Sequence, residues 1–319
     1  MNPTSQDVAD RAGVSRSTVS QILNGRASYF SDETKARVAS AVTELGYEPS
    51  AAGRALARGS SDIVIALIPD TTFGHNLQDI YGALTDELAR RGLTLVLRLA
   101  NHSPDALDRL VKGMSPRAVL TLTKLPDEQR QIITDRGVEL IEPEAAGSSD
   151  ANSQIGAIQA RYLIDHGYRH LAYAHLSDER SDPFGGPRER AFIEVCDAAE
   201  VRDRRILHLG VTAHDARAAL DALGGPGYAV ACYNDEIATA LLFAAHDRGW
   251  RVPEDLALIG MDNTPLAGVT IPPLTTLGYD PVQVTAASLR SLLARLDGSS
   301  ALERADSGLS IILVERETA

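Results

Sequence analysis

Two groups of polar side chains in this sequence are of types that bind other molecules through hydrogen bonds. Arg16, Ser17 and Gln21 fall within one short helical segment, and their guanidinium, hydroxyl and amide groups suit contact with a polar surface. Asn234 and Asp262 each follow a short apolar run typical of a buried strand, where an α/β sheet presents its ligand-binding edge. The chemistry indicated by both groups is binding.

The sequence lacks the motifs of common catalytic and metal sites. It contains no GxxxxGK phosphate loop and no GxSxG nucleophile elbow, and the GGPG at 224–227 lacks the strand and helix that flank a dinucleotide-binding loop. His166, His170 and His175 fall on a helix end, a turn and a strand, so we expect structural histidines instead of a zinc cluster. We therefore predict no enzyme activity, no metal and no cofactor.

Length and composition indicate a globular protein with about two domains. The chain has 319 residues, of which 44% are hydrophobic and 23% charged. No apolar run reaches the ~18 residues of a membrane helix, and the charged N-terminus is unlike a signal peptide. The two cysteines, Cys196 and Cys232, stand in separate apolar contexts and predict no disulfide framework. We expect a cytoplasmic protein with no membrane contact.

The net charge of −12 is unevenly distributed along the chain. Residues 1–60 carry seven cations and six carboxylates, a net charge of +1, whereas the remainder carries 24 cations and 37 carboxylates, a net charge of −13. Phosphates would repel the acidic part and not the N-terminal part. This distribution is a weak indication of a DNA-binding N-terminal domain.

The first 49 residues predict three short helices. Thr4 fits a capping box that starts the first helix near Ser5, and Gly13 ends it. Ser15 is a good N-cap for a second helix through Leu23. A third helix begins at 31, where acidic residues suit the helix dipole, and ends at 46.

The second helix has one apolar face. Val19, Ile22 and Leu23 recur at helical spacing and face inward, which turns the polar Arg16, Ser17 and Gln21 outward. The spacing alone leaves two interpretations open. One is a helical bundle with an ordinary solvated face, and the other is a helix-turn-helix whose second helix enters the major groove of DNA.

Residues 50–60, SAAGRALARGS, predict a short helix between flexible joints, and a plain linker is the alternative. An isolated helix below about 12 residues is unstable in water, and Gly53 costs about 1 kcal/mol relative to alanine. We therefore expect this segment to be unfolded away from DNA.

The body, 61–319, alternates strands and helices and therefore predicts parallel sheets covered on both faces. The predicted strands are 63–68, 93–99, 118–122, 170–174, 228–233 and 256–260, with a further strand around Leu309, Ile311, Ile312 and Leu313. The predicted helices lie near 78–91, 154–166, 188–199, 235–248 and 282–296. We expect Asp235 to cap the helix that starts at Glu236.

The segments SQDVADRAGVSRSTVSQILNG and SDETKARVASAVTELGYEPSAAGRALARG closely resemble the head of the lac repressor and galactose repressor family of bacterial regulators. The body resembles the family's periplasmic-binding-protein core through DHGYRHLAYAHL, YNDEIA, VPEDLALIGMDNTPLA and IPPLTTL. The resemblance implies a helix-turn-helix head at 1–49, a hinge at 50–60 and an effector-binding, dimerising core at 61–319. It further implies a first lobe at about 61–150 and 281–300, and a second at about 151–280 and 301–319.

The resemblance also assigns roles in DNA binding. It implies that Arg16, Ser17 and Gln21 contact bases, and that Leu56 wedges between base pairs in the minor groove. The residues implied to contact phosphates are Thr4, Ser15 and Asn24. Family members often have arginine at the position of Gln21, and because glutamine pairs best with adenine, the preferred operator is expected to differ there.

The resemblance places effector-binding residues in the cleft between the two lobes. It implies Arg188, Asn234 and Asp262, a set that suits a hydroxyl-rich ligand such as a sugar. Further positions on the cleft walls are Asp70, Phe73, His75 and Glu144. Relatives commonly have Asn-Pro-Phe-Phe where this chain has FGHN at 73–76, which implies a different pocket wall.

Together these features predict an effector-responsive transcriptional regulator, most simply a repressor of a carbohydrate-utilisation operon. It would bind a palindromic operator in double-stranded DNA as a homodimer, with a sugar or sugar derivative as effector. The alternatives are a sugar-binding receptor, which the body alone would suit, and a sugar-modifying enzyme with an accessory DNA-binding head.

Overall fold

The computed structural model describes residues 3–23, 27–48, 55, 59–68, 74–99, 103–142, 148–177, 182–280, 283, 286, 290, 292–295 and 310–319. The side chains of 75–76 and 148–150 are not part of this description. Most of the predicted hinge, including Leu56, therefore lies outside the described residues, as do Asn24, Asp70, Phe73 and Glu144.

The head contains the three predicted helices, α1 (Ser5–Ala12), α2 (Arg16–Leu23) and α3 (Asp32–Leu45). Gly13 and Gly46 end α1 and α3 with φ of 64° and 60°, a left-handed conformation that glycine adopts without steric cost. The three helices enclose a small core of buried side chains: Val8, Ala9, Ala12, Val19, Val38 and Ala41. Ile22 and Leu23 pack against this core, which confirms the predicted inner face of α2.

The first lobe is a four-stranded parallel sheet, ordered β2-β1-β3-β4, with helices on both faces. Its strands are β1 (Ile63–Ile68), β2 (Thr94–Leu99), β3 (Ala118–Thr121) and β4 (Glu139–Ile141). Helix α4 (His75–Arg90) covers one face, and α5 (Pro104–Met114) and α6 (Asp127–Thr134) cover the other. Because β1 is central, its side chains after Ile63 are all buried.

The second lobe is a six-stranded sheet, ordered β10-β9-β8-β7-β5-β6, in which only the β9–β10 pair is antiparallel. Its strands are β5 (His170–Leu176), β6 (Asp203–Leu209), β7 (Tyr228–Cys232), β8 (Leu256–Met261), β9 (Thr275–Tyr279) and β10 (Ile311–Val314). One face packs against α7 (Ser148–Asp165) and α8 (Gly185–Ala198). The other face packs against α9 (Ala213–Leu223) and α10 (Asp235–Asp247).

The chain passes between the two sheets at three places. It leaves the first sheet after β4, enters the second lobe through α7, and leaves the second sheet after β9. The described residues between 283 and 295 are helical, and Leu292 packs into the core of the first lobe. The chain then returns to the second sheet as β10, so each lobe is built from discontinuous segments.

The strands that the sequence indicated are confirmed, with ends shifted by one or two residues, and the run at 63–68 matches β1 as predicted. Three of the strands in the described part of the chain were not predicted. β4 is only three residues long, β6 contains Asp203, Arg204 and Arg205, and β9 is rich in threonine, so none has the apolar run of a buried strand. Helices α5, α6 and α9 were also not predicted, and α7 begins six residues before the predicted start at 154.

None of the helices in the described part of the chain combines the length and apolar character that crossing a bilayer requires.

Candidate functional site

Thr4 and Ser15, which are expected to contact phosphates, each cap the start of a helix. The Thr4 hydroxyl accepts a hydrogen bond from the Asp7 N–H at 3.3 Å, and the Asp7 carboxylate accepts from the Thr4 N–H at 2.7 Å. Hydrogen bonds from the Thr4 hydroxyl and N–H lower the pKa of the Asp7 carboxyl. The Ser15 hydroxyl accepts from the Thr18 N–H at 3.1 Å. Both residues therefore stand at helix N-termini, where backbone N–H groups favour anions.

The outward face of α2 carries the three predicted base-reading side chains. Arg16 and Ser17 are exposed, and Gln21 is half-buried. Arg16 Nε donates to the Ser5 hydroxyl at 3.0 Å, which ties this guanidinium to α1. Gln21 Nε2 donates to the Ser17 hydroxyl one turn earlier at 3.4 Å. The structure thus brings the three side chains together on one exposed surface.

Arg188 is the centre of a polar cluster in the second lobe. It lies in the first turns of α8 and is only 5% exposed. Its Nε donates to Asn152 Oδ1 at 2.9 Å, and its Nη1 donates to the carbonyl oxygen of Tyr233 at 2.8 Å. The guanidinium carbon also lies 5.0 Å from the centre of the Tyr233 ring. These contacts fix the guanidinium in one orientation at the carboxyl end of β7.

The surroundings of Arg188 keep it charged. Burial lowers the pKa of its guanidinium, but Tyr279, Tyr233 and Asp262 are among the groups that raise it by more, so the net pKa is above the ordinary value. Burial likewise raises the pKa of the Tyr279 phenol, and the hydrogen-bonded Arg188 side chain counteracts this. A buried, permanent cation beside a carboxylate suits a ligand that offers both acceptors and donors.

Asp262 occupies the loop after β8 in an uncommon backbone conformation. Its φ is 107° and that of Asn263 is 45°, both in the region that favours glycine. The Asp262 N–H donates to the carbonyl oxygen of Leu277 at 2.8 Å, which holds the loop against β9. Strained backbone of this kind is concentrated at binding sites, because it positions a side chain that relaxed geometry would not.

The residue that caps α10 is not the one that the sequence led us to expect. Asn234 is the N-cap of α10, since its Oδ1 accepts from the Ile237 N–H at 2.9 Å, and the helix starts at Asp235. The expectation that Asp235 caps a helix beginning at Glu236 is therefore wrong. The buried Asp235 carboxylate instead accepts from the Thr264 N–H at 2.7 Å and from the Thr276 hydroxyl at 2.5 Å.

Sequence reasoning missed several residues that surround Arg188. Asn152 lies in the part of α7 that the periodicity did not predict, and Tyr279 ends the unpredicted strand β9. Tyr173 is fully buried on β5, and its hydroxyl has no hydrogen-bond partner among the described residues. Tyr233 directly follows β7, so its position at a strand end was a signal that could have identified it.

The other proposed cleft residues belong to parts of the chain that give no side-chain geometry. Asp70, Phe73 and Glu144 lie outside the described residues, and His75 begins α4 with a side chain that is not described. The same holds for Asn24 and Leu56 in DNA binding. The roles of all six residues stay predictions.

The three histidines near the second sheet each have a separate partner. His166 Nδ1 lies 2.8 Å from the Tyr162 carbonyl, His170 Nδ1 2.6 Å from Asp203 Oδ2, and His175 Nδ1 2.8 Å from the Leu176 carbonyl. The described residues include no group of three or more histidine, cysteine or acidic side chains that could hold a metal ion.

Comparison with known proteins gives two family matches. Residues 4–50 match the bacterial regulatory proteins of the lacI family, and residues 160–319 match the periplasmic-binding-protein-like domain. The chain is 28% identical over 312 residues to the HTH-type transcriptional repressor PurR of Mannheimia succiniciproducens, covering 92% of each chain. It is 27% identical to the ribose operon repressor of Halalkalibacterium halodurans, covering 92% of this chain and 90% of the relative.

A solved structure supports the same fold. The lac repressor dimer bound to operator and the anti-inducer ONPF is similar with a TM-score of 0.76 and 21% identity, over 100% of this chain and 99% of that one. The matched relatives are transcriptional regulators and not enzymes.

Proposed function

Because the chain belongs to the LacI family of bacterial regulators and joins its helix-turn-helix head to a periplasmic-binding-protein-like body, we propose that it represses a carbohydrate-utilisation operon in response to a sugar. The family establishes an effector-responsive, DNA-binding repressor. The sugar, the homodimer, the operator symmetry and the individual site residues are the parts that we propose. The ribose operon repressor among the relatives supports the choice of a sugar.

In the proposed complex the exposed face of α2 enters the major groove. Arg16, Ser17 and Gln21 contact base edges, and Thr4, Ser15 and Asn24 contact phosphates that set the register. Ser17 and Gln21 lie on one face, one helical turn apart, and the Arg16 side chain is oriented by its bond to Ser5. This arrangement supports the assignment because base readout requires side chains of fixed direction.

The proposed effector site depends on one observation, the buried and charged Arg188 at the carboxyl ends of the strands of the second sheet. It is held by Asn152 and Tyr233 and lies in the electrostatic field of Asp262. We assign Arg188, Asn234 and Asp262 to one wall of the cleft. The assigned residues of the opposite wall are Asp70, Phe73, His75 and Glu144.

Two exposed apolar surfaces support a homodimer. Leu266, Val269 and Ile271 follow β8 with 68%, 71% and 88% of their surfaces exposed. Leu97 and Leu99 are 41% and 57% exposed on β2, the edge strand of the first sheet. Large apolar side chains on an open sheet edge favour association, and a second copy of this chain is the occupant that a palindromic operator requires.

The proposed mechanism is a shift between two populations. Effector bound between the lobes changes their arrangement in both protomers and therefore the spacing of the two hinge segments. Because Leu56 must reach the minor groove at the centre of the operator, this spacing determines the affinity for DNA. A coupling free energy of about 1–3 kcal/mol is sufficient for a useful switch.

The testing experiment is a fluorescence-anisotropy titration of the protein with DNA from upstream of its own gene, at fixed salt, with scrambled DNA as control. We expect a specificity ratio above about 10³. Candidate sugars are then added to the wild type and to R188K, which keeps the charge but loses the forked geometry. R188K should bind DNA normally and lose the sugar response. Equal affinity for both DNAs with every ligand tried contradicts the proposal.

A further inference from the structure

A cavity of about 410 Å³ lies at the edge of the first lobe where the hinge joins the body. Its lining includes Gly59 and Ser60, the last residues of the predicted hinge. The lining also contains the three cationic side chains Lys112, Arg117 and Arg136, and no carboxylate. This local excess of positive charge contrasts with the net charge of −13 over residues 61–319.

The end of the hinge is fixed to the wall of this cavity by main-chain hydrogen bonds. The N–H of Ser61 donates to the carbonyl oxygen of Ser115 at 2.8 Å, and the N–H of Arg117 donates to the carbonyl oxygen of Ile63 at 2.8 Å. The hinge therefore emerges directly beside the cations. Any DNA that the hinge contacts must lie at this edge of the lobe.

The number of residues between Leu56, the proposed minor-groove wedge, and the cavity limits the distance between the cavity and the DNA. Leu56 precedes Gly59 by three residues, which span at most about 11 Å at ~3.6 Å per residue. The screening length at physiological salt is about 8 Å, and a lysine side chain extends several ångströms from its backbone. Phosphates beside the wedge are thus within electrostatic range of the cavity.

Two of the cations, Arg136 and Lys112, differ in how they are engaged. Arg136 is paired with Asp108, with 2.8 Å between Nε and Oδ1. Lys112 is exposed on the last turn of α5, and no hydrogen bond or ion pair within the described residues involves its ammonium group. An ammonium group beside a cavity without carboxylates is therefore available to a polyanion.

We propose that this edge of the first lobe, with Lys112 as its principal cation and Arg117 beside it, is a second DNA-contact surface. It binds backbone phosphates next to the hinge and reads no bases. The inference rests on the proposed function, because it requires the hinge to engage the minor groove. It assigns to the body a contribution to affinity that is additional to that of the head.

A purely structural role for Lys112 is the competing account. A cation in the last turn of a helix stabilises the helix by interacting with its dipole, whether or not DNA is present. The two accounts differ in what they change. The structural role affects the unfolding temperature, whereas the phosphate contact affects the salt dependence of DNA binding.

The test compares K112Q with K124Q in the full-length protein. Lys124 is an exposed lysine of the same lobe that follows the carboxyl end of β3, whereas Lys112 precedes the amino end of this strand. Anisotropy titrations with the upstream DNA at a series of salt concentrations give the slope of log affinity against log salt. We expect K112Q to reduce the magnitude of this slope by about 2 per dimer, and K124Q to leave it unchanged.

Equal slopes for K112Q and K124Q overturn the inference, and a lowered unfolding temperature of K112Q with an unchanged slope identifies the structural role. Binding of inorganic phosphate to the wild type but not to K112Q, with equal salt slopes of DNA binding for the two proteins, would identify a small-anion site instead. If the wild type binds upstream and scrambled DNA equally, the proposed function fails. If upstream DNA is preferred but K112Q and K124Q give equal slopes, the inference fails while the proposed function stands.

Discussion

Asp235 shows how one buried carboxylate can position an adjacent loop. It is 2% exposed and accepts hydrogen bonds from the Thr264 N–H, the Thr264 hydroxyl and the Thr276 hydroxyl. Burial raises the pKa of this carboxyl, and the hydrogen bonds partly counteract the rise. A Cβ at Gly260 would lie 2.2 Å from Asp235 Oδ1, so only glycine fits there. The carboxylate therefore ties α10 to the loop that carries Asp262.

We expect D235N to destabilise the second lobe by about 1.5–3 kcal/mol. The amide of asparagine has only one accepting oxygen. Its NH2 group would therefore face one of the Thr264 or Thr276 donors that now bind a carboxylate oxygen, and that donor would lose its hydrogen bond. Trp250, the only tryptophan, packs against the core of this lobe, so its fluorescence during urea unfolding measures the loss.

The matched control for this change is D247N. Asp247 lies on the surface, where it pairs with Arg217 at 2.7 Å. Its replacement should shift the unfolding free energy by less than about 1 kcal/mol. Equal effects of the two substitutions would show that the buried hydrogen bonds of Asp235 contribute nothing specific.

At the scale of elements, the close crossing of α7 and α8 sets the position of Arg188. Asn152 and Gly156 lie one turn apart on α7, and both face α8. Asn152 accepts from the Arg188 side chain, and a Cβ at Gly156 would lie 1.9 Å from the Arg188 carbonyl oxygen. The absence of a side chain at 156 therefore allows the two helices to approach closely enough for the Asn152–Arg188 bond.

We expect G156A to force the helices apart and to destabilise the lobe by about 1–3 kcal/mol. Under the proposed assignment of Arg188 to the effector site, the displacement should also weaken effector binding at least tenfold, because the Arg188 guanidinium moves with α8. Calorimetric titration with the sugar identified in the operator assay measures this loss.

G186A provides the control on α8 itself. A Cβ at Gly186 would meet only Arg190 Nη1, at an ordinary 3.5 Å, so stability and effector affinity should stay near those of the wild type. Retention of full effector affinity by G156A would contradict the claim that this crossing positions Arg188.

At the scale of the whole molecule, the exposed apolar side chains favour a dimer, and the charge distribution favours DNA binding at the hinge end of the body. Leu266, Val269 and Ile271 expose apolar surface on the second lobe, and the described surface at the hinge is locally cationic in an acidic body. A dimer formed through the apolar surface would cover it and hold two heads at a fixed separation. Both heads could then bind one palindromic operator. The ratio of specific to non-specific affinity of the dimer would then be about the square of the ratio for a single head.

We expect V269D to convert the proposed dimer into monomers, because a carboxylate buried in an apolar interface loses its hydration without gaining a partner. Operator affinity should fall at least 100-fold, since each head then binds alone. Analytical ultracentrifugation measures the oligomeric state at the concentrations of the DNA-binding assay.

The same substitution at Val211 controls for the added charge. Val211 is 52% exposed beside α9, and V211D should leave the dimer and its operator affinity unchanged. A V269D protein that remains dimeric would place the interface elsewhere.

Local sequence signals were sufficient for much of the fold. The capping box at Thr4 and the terminal glycines at 13 and 46 predicted the head helices, because capping depends on residues three or four positions apart. Apolar runs such as 63–68 predicted the central strands, because a strand covered on both faces must be apolar throughout. Edge and polar strands such as β4 and β6 lack that constraint and were missed.

The candidate sites also contain some features that local sequence predicts and others that depend on tertiary packing. The sequence by itself determined that Arg16, Ser17 and Gln21 face outward, since the apolar periodicity of one helix decides this. Only the tertiary structure decided that Arg188 is buried between partners 36 and 45 residues away in the chain. It also decided that the Asp235 carboxylate ties α10 to the loop after β8 and to β9 instead of capping a helix. Burial and hydrogen bonding across such separations depend on how whole elements pack, and no local pattern of residues encodes that packing.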